Sequence, residues 1–211
     1  HDAAVEIIGA GDITQPDFKA DSDDYIICAD GGYSYKDLLG RECDCVVGDF
    51  DSFGSVPETE HKIVAPCEKD ETDMMLAVDT GYARGYRDFV LLGALGGMRS
   101  DHSVANIQLL HYIASKGGRG TIIHGDEVFT AFKNENLFLN ENLKGYISVF
   151  SLSDKSRGVT LKNLKYTLDN ANLNSFNPVG VSNEFIGKKA EISVKDGCLL
   201  VVYKKQGEPV I

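Results

Sequence analysis

The first part of the chain alternates short, almost wholly apolar runs with longer stretches of mixed polarity. The apolar runs are Val5-Glu6-Ile7-Ile8, Tyr25-Ile26-Ile27-Cys28-Ala29, Cys45-Val46-Val47, Ile63-Val64-Ala65 and Phe89-Val90-Leu91-Leu92. Apolarity without a polar residue at every second position predicts strands covered on both faces, as in a parallel sheet. Between them, residues 33–39 before Gly40 and 72–84 before Gly85 read as helices stopped by glycine. A further helix is expected over 101–116, with Val104, Ile107, Leu110 and Ala114 on one face, Ser100 as its cap and Gly117-Gly118 as its stop. Strand, helix, strand in this order describes an α/β domain with a mainly parallel, doubly wound sheet over residues 1–120.

Beyond that point the pattern changes. Residues 121–123, 127–132, 146–152, 158–161, 191–194 and 199–203 are short β-branched or alternating runs separated by Asn, Asp, Gly and Lys. They predict a smaller all-β, sandwich-like domain over residues 121–211. Asp196-Gly197, between the last two runs, reads as a hairpin turn.

A length of 211 residues supports a sizeable core, and 43% hydrophobic with 25% charged residues is an ordinary globular composition. The net charge of −11 argues against binding to nucleic-acid backbone or to an anionic membrane surface. No run approaches a membrane span, and no charged start with an apolar leader core is present. Cys28, Cys43, Cys45, Cys67 and Cys198 are too irregularly spaced for a disulfide framework, and Cys43-x-Cys45 lacks a second zinc-ligand pair. Reduced thiols in a cytoplasmic protein are therefore expected.

Candidate chemistry gathers at one end of the predicted strands. In open α/β sheets, ligands bind beyond the carboxyl ends of the strands. There the chain carries Gly9-Ala10-Gly11-Asp12, Asp30-Gly31-Gly32, Gly48-Asp49-Phe50-Asp51-Ser52 and the glycines between Gly93 and Gly97. Glycine admits a phosphate close to the backbone, and Asp49 and Asp51, one residue apart, offer hard oxygens to a divalent cation. A second acidic group, Lys69-Asp70-Glu71-Thr72-Asp73, opens the second helix, where capping and the helix dipole explain part of it and metal or nucleotide contact the rest. A third piece, Gly96-Gly97-Met98-Arg99-Ser100-Asp101-His102, leads from a glycine turn into a helix, and Arg99 has the forked geometry that clamps phosphate oxygens.

In order and approximate spacing, these motifs resemble thiamine pyrophosphokinase. Leu164-Lys165-Tyr166-Thr167-Leu168 and Gly180-Val181-Ser182-Asn183-Glu184 look like that family's marks in its β-rich domain, so the resemblance covers nearly the whole chain. It implies transfer of a pyrophosphoryl group from ATP to the hydroxyethyl arm of thiamine, giving thiamine diphosphate and AMP. It further implies Mg²⁺ held by Asp49, Asp51 and Asp73. Asp30, Gly31, Asp70, Thr72, Arg99, Asp101 and His102 would complete the nucleotide and transfer site, with Asp70 or Asp101 available to take the hydroxyl proton. Ser182 and Asn183 would contact thiamine, and Tyr166 would supply an aromatic face. The family implies a homodimer whose sites lie where the α/β domain of one subunit meets the β domain of the other. Thr167 stands where many bacterial members have proline, and the chain has no Trp to stack on a substrate. Two other readings stay open at this stage: a nucleotide-sugar glycosyltransferase using the D-x-D pair, and a non-catalytic thiamine- or nucleotide-binding module.

Overall fold

The computed structural model describes residues 3–13, 20, 22–49, 62–64 and 70–205. The chain divides into two compact units, His1–Leu109 with Ile122–Gly125, and Leu110–Thr121 with Asp126–Ile211. No helix among the described residues is long and apolar enough to cross a membrane.

In the first unit, β1 (Val5–Ile8) lies between β2 (Tyr25–Ala29) and β5 (Asp88–Leu92), parallel to both. Beyond β2 follow β3 (Cys45–Gly48) and β4 (Lys62–Val64), again parallel. Every residue of β1 and β3 is buried, which is why these strands show no alternation. Parallel neighbours also place all their carboxyl ends on one edge of the sheet.

Two of the expected helices form nearly as read, α2 (Asp73–Ala83) and α3 (Ser100–Ser115). Ser100 is the first residue of α3 and not its cap. The buried face of α3 also differs from the expected stripe: Val104 is exposed, and Asn106, Leu109, Leu110 and Ile113 point inward. That set obeys the i, i+3, i+4, i+7 rule, with an asparagine where a hydrophobe is the usual occupant. The helix expected over 33–39 is split between the end of a 3₁₀ helix, Asp30–Tyr35, and the single α-helical turn α1 (Lys36–Leu39). Tyr35 gives α1 no side-chain cap, and Gly40 ends it in the left-handed region at φ 69°.

The second unit is dominated by antiparallel strands but includes the last turns of α3, so it is not built of strands alone. Strands β7 (Glu127–Lys133), β14 (Cys198–Lys204), β9 (Tyr146–Ser151) and β12 (Asn183–Glu184) pair in that order. Strands β11 (Leu168–Asn174), β10 (Lys155–Lys162), β13 (Ala190–Ser193) and β8 (Asn136–Leu139) form a separate four-stranded sheet. Side chains from both sheets, among them Ile147, Val149, Leu199, Leu161 and Ile192, share one apolar cluster. The chain runs through β6 (Arg119–His124) from one unit to the other.

Two expectations are corrected. Asp196-Gly197 is not a hairpin turn, because β13 and β14 pair with different strands in different sheets. The turn carries the chain from one sheet to the other, with Gly197 N–H donating to Asn134 Oδ1 at 2.8 Å. Nor are all the cysteines thiols: Cys28 on β2 and Cys43, just before β3, form a disulfide. Their Cα atoms are 6.0 Å apart, within the span such a bond bridges. In the parallel register Cys28 stands opposite Val46, so the contact with Cys43 depends on how the chain bends at Asp44 on entering β3, which no sequence spacing announces. Cys45 and Cys198 remain buried thiols, and burial pushes the Cys198 thiol up to about 12. Cys67 lies outside the described residues.

Candidate active site

The first unit holds a recess at the carboxyl ends of its strands. It is lined by Gly9 and Ala10 after β1, Ala29 at the end of β2, Thr72, Asp73 and Met74 at the start of α2, and His102, Ala105 and Asn106 on α3. Its floor requires small residues. A side chain at Gly32 would collide with the Ile8 carbonyl, and Gly93, at φ 58°, presses against the Gly9 backbone. The Gly9 and Gly11 N–H groups donate to the Leu92 and Gly93 carbonyls at 2.8 and 2.7 Å, which holds the loops after β1 and β5 together.

Thr72 is the N-cap of α2, its Oγ1 accepting from Met75 N–H at 3.1 Å. Capping thus accounts for Thr72, whereas Asp73 sits in the first turn and lines the recess. There its carboxylate also meets the positive end of the helix dipole. Asp70 is exposed just before the helix. Asp49 is half-buried immediately after β3, at the same strand edge. Its partner in the D-x-D pair, Asp51, lies outside the described residues, as does Lys69. Among the described residues, no group of three or more His, Cys, Asp or Glu is gathered closely enough to share a metal. The donors present at the edge are carboxylates, the hard oxygen chemistry that a divalent cation such as Mg²⁺ takes.

Arg99 and Asp101 form a two-pronged pair, with Nη2 2.6 Å from Oδ2 and Nε 3.3 Å from Oδ1. Both are exposed, at 68% and 63%. The guanidinium hydrogen bond holds the Asp101 carboxyl below the usual carboxylate range, and the carboxylate in turn raises Arg99. A carboxylate stabilised in this way is a weak proton acceptor. The His102 N–H donates to the Arg99 carbonyl at 3.1 Å, and the residue lines the recess.

In the second unit the two remaining motifs come together. Asn183, 5% exposed, accepts at Oδ1 from the Tyr166 and Glu184 amides, both at 2.9 Å. Its Nδ2 donates to the Tyr166 carbonyl at 2.7 Å. The Tyr166 ring is 60% exposed, with Lys165 Nζ 5.6 Å from its centroid. Ser182 is exposed and holds φ 61°, an uncommon conformation for a residue other than glycine, while its N–H donates to Ser148 Oγ at 3.1 Å. Such outliers concentrate at ligand sites.

Comparison with known proteins accounts for both halves. Residues 19–121 match the family model "Thiamin pyrophosphokinase, catalytic domain", and residues 136–199 match "Thiamin pyrophosphokinase, vitamin B1 binding domain". The chain belongs to the thiamine pyrophosphokinase family. A thiamine pyrophosphokinase of Bacillus subtilis is 29% identical over 163 residues, 74% of this chain and 75% of that protein. The crystal structure of a Bacillus subtilis thiamine pyrophosphokinase superposes with a TM-score of 0.80 at 25% identity, covering 96% of this chain and 99% of the other. A family member from Enterococcus faecalis gives 0.77 at 26% identity, over 97% and 99%.

Among the residues that the thiamine pyrophosphokinase resemblance singles out, the recess gathers Thr72, Asp73 and His102. Gly31 is the second residue of the 3₁₀ helix after β2, where an added side chain would press on Ala10, itself part of the lining. Arg99 and Asp101 stand at the start of the helix that lines it, paired with each other. Sequence reasoning missed three supports of the site. Asn106 Nδ2 donates to the Ala94 carbonyl at 2.7 Å, Ser103 Oγ accepts from Gly96 N–H at 3.1 Å, and Tyr35 Oη donates to the Gly11 carbonyl at 2.9 Å. The available signal was a polar residue, Asn106, at an inward helical position.

Proposed function

We propose that the chain is a thiamine pyrophosphokinase, transferring a pyrophosphoryl group from ATP to thiamine and releasing AMP. The observation that carries this reading is the strand-edge recess lined by Thr72, Asp73 and His102, in a chain matching the family's catalytic and vitamin B1 binding domains. The thiamine hydroxyl oxygen bonds to the β-phosphorus while the bond from that phosphorus to the α,β-bridging oxygen breaks. The electron pair leaves with AMP, and the hydroxyl proton passes to a nearby acceptor. Charge grows on the bridging and equatorial oxygens, so positioning and electrostatics dominate and little is asked of a base.

Each residue then takes a role. The glycine-lined floor at Gly9 and Gly31 admits the phosphates, with Asp30, Thr72 and His102 contacting the nucleotide. The positive end of α2 faces them. Arg99 exchanges Asp101 for phosphate oxygens, keeping a fork-shaped charge pair throughout. Asp49, Asp51 and Asp73 hold Mg²⁺, which when bound offsets charge on the phosphate oxygens. Asp70 and Asp101 are the two acids available to take the hydroxyl proton, and a loose transition state asks little of either. Ser182 contacts thiamine beside the Tyr166 ring, and Asn183 belongs to the same site. A doubly wound layer leaves this strand edge open to ligand.

The exposed Tyr146, Tyr166, Val181 and Ile186 around β12 supply apolar surface for a second copy, supporting a homodimer with its sites at the subunit interface. ATP as donor supports a cytoplasmic location. Incubation with ATP, Mg²⁺ and thiamine, with AMP resolved from ADP, tests the reading. Thiamine-dependent AMP together with thiamine diphosphate is the expected result. ADP would mean transfer of the γ-phosphoryl group, and bound thiamine without any nucleotide product would mean a silent binding module.

A further inference from the structure

We infer that Asn183 is a positioning residue that acts on thiamine through Tyr166, and is not itself a thiamine ligand. This rests on the reading that places Tyr166 in the thiamine site. The Asn183 amide is turned inward. It takes the Tyr166 N–H and gives to the Tyr166 carbonyl, at 2.9 and 2.7 Å, so one side chain satisfies both backbone groups of one residue. Its carbonyl oxygen accepts a further bond from Glu184 N–H at 2.9 Å, and the residue is 5% exposed. An amide so placed stands in for a strand partner that Tyr166 lacks.

The neighbouring contacts extend this join. Lys165 N–H donates to the Glu184 carbonyl at 3.0 Å, Lys165 Nζ lies 2.6 Å from Glu184 Oε1, and Leu164 bridges Phe185. On its other side Asn183 is opposite Ile147 of β9. The backbone of Tyr166 is therefore tied through β12 to the main antiparallel sheet, while its ring stays outside. A ring held by its backbone at a fixed height loses little freedom when it stacks, and preorganisation of this kind strengthens binding. The ring already receives one cation, Lys165 Nζ, and a thiazolium is a cation of the same kind. Without the asparagine, the Tyr166 N–H and C=O lose their partner and the ring loses its placement.

A double-mutant cycle on the full chain separates action through Tyr166 from direct contact. Tyr166→Ala and Asn183→Ala are each expected to raise KM for thiamine about tenfold, the scale of one cation–aromatic contact. KM for ATP should stay within about twofold of the parent in both, since the nucleotide recess is untouched. The double variant should bind thiamine no worse than Tyr166→Ala alone. If the two effects multiply to about a hundredfold, Asn183 meets thiamine independently and the inference falls. It falls equally if Asn183→Ala lowers only the melting temperature, or depresses turnover with both substrates alike. If Tyr166→Ala leaves the thiamine KM unchanged in an active enzyme, the placement of Tyr166 itself is wrong, a distinct failure. Should Asn183→Ala not fold, Asn183→Asp takes its place in the cycle. It keeps both acceptor bonds and loses the donor to the Tyr166 carbonyl, and the same non-additivity is expected.

Discussion

Asp73 joins two roles that a substitution can separate. As a first-turn acid it favours α2 through the helix dipole, a contribution of about 0.3–1 kcal/mol. As a lining residue of the recess it places a carboxylate where the proposed function puts the phosphates and their metal. Asp73→Asn keeps the size and removes the charge. It is expected to lower kcat/KM for AMP release by about a hundredfold or more, with the far-UV circular dichroism of the parent. A change below threefold would leave Asp73 with its helical role alone. This residue was legible in sequence because acids cluster where the helix begins. Asn183 was legible only as part of a motif, since its inward amide depends on a segment 17 residues away.

At the scale of elements, α3 shows how a site is supported from within. Asn106 occupies a core position of the helix and ties it to the carbonyl of Ala94 in the loop after β5. Asn106→Ala leaves that carbonyl unpaired, and a urea titration should show a loss of about 1–3 kcal/mol. Because Asn106 also lines the recess, KM for ATP should rise in the same variant. Unchanged stability would mean that water replaces the amide. In the first unit β1, β2 and β3 were readable almost to the residue, because burial on both faces removes alternation, whereas β4 keeps an apolar run although Ile63 and Val64 are exposed. In the second unit β8 and β11 escaped notice. Only Leu137 and Leu139 of β8 turn inward, and β11, Leu-Asp-Asn-Ala-Asn-Leu-Asn, buries Leu173 alone. A polar strand such as β11 is recruited by its neighbours, and sequence periodicity does not record that; β8 is apolar but only four residues long. The Asp196-Gly197 turn misled for the same reason: a local turn signal says nothing about which sheet receives the next strand.

For the whole molecule, the Cys28–Cys43 bond links two strands whose ends carry Asp30 and Asp49. It closes a sequence separation of 15 residues. A loop of that size constrains the unfolded chain by about 3 kcal/mol, so adding dithiothreitol should lower the urea midpoint correspondingly. Equal midpoints with and without reductant would show that the bond contributes nothing to the folded state's advantage. Because cytoplasmic thiols are normally kept reduced, activity measured in both states would also identify the working form of the enzyme.

The placement of β14 carries a consequence for how the protein is made. This last described strand lies in the middle of its sheet, between β7 and β9. During synthesis both neighbours emerge from the ribosome before it and face an empty lane, each with an unpaired edge open to any passing strand. The second unit therefore cannot close as it is translated. The first unit is complete by residue 125, more than seventy residues before Cys198–Lys204 arrives. The nascent chain spends that interval with a finished nucleotide half and an exposed, half-built vitamin half, which is when a chaperone has most to protect.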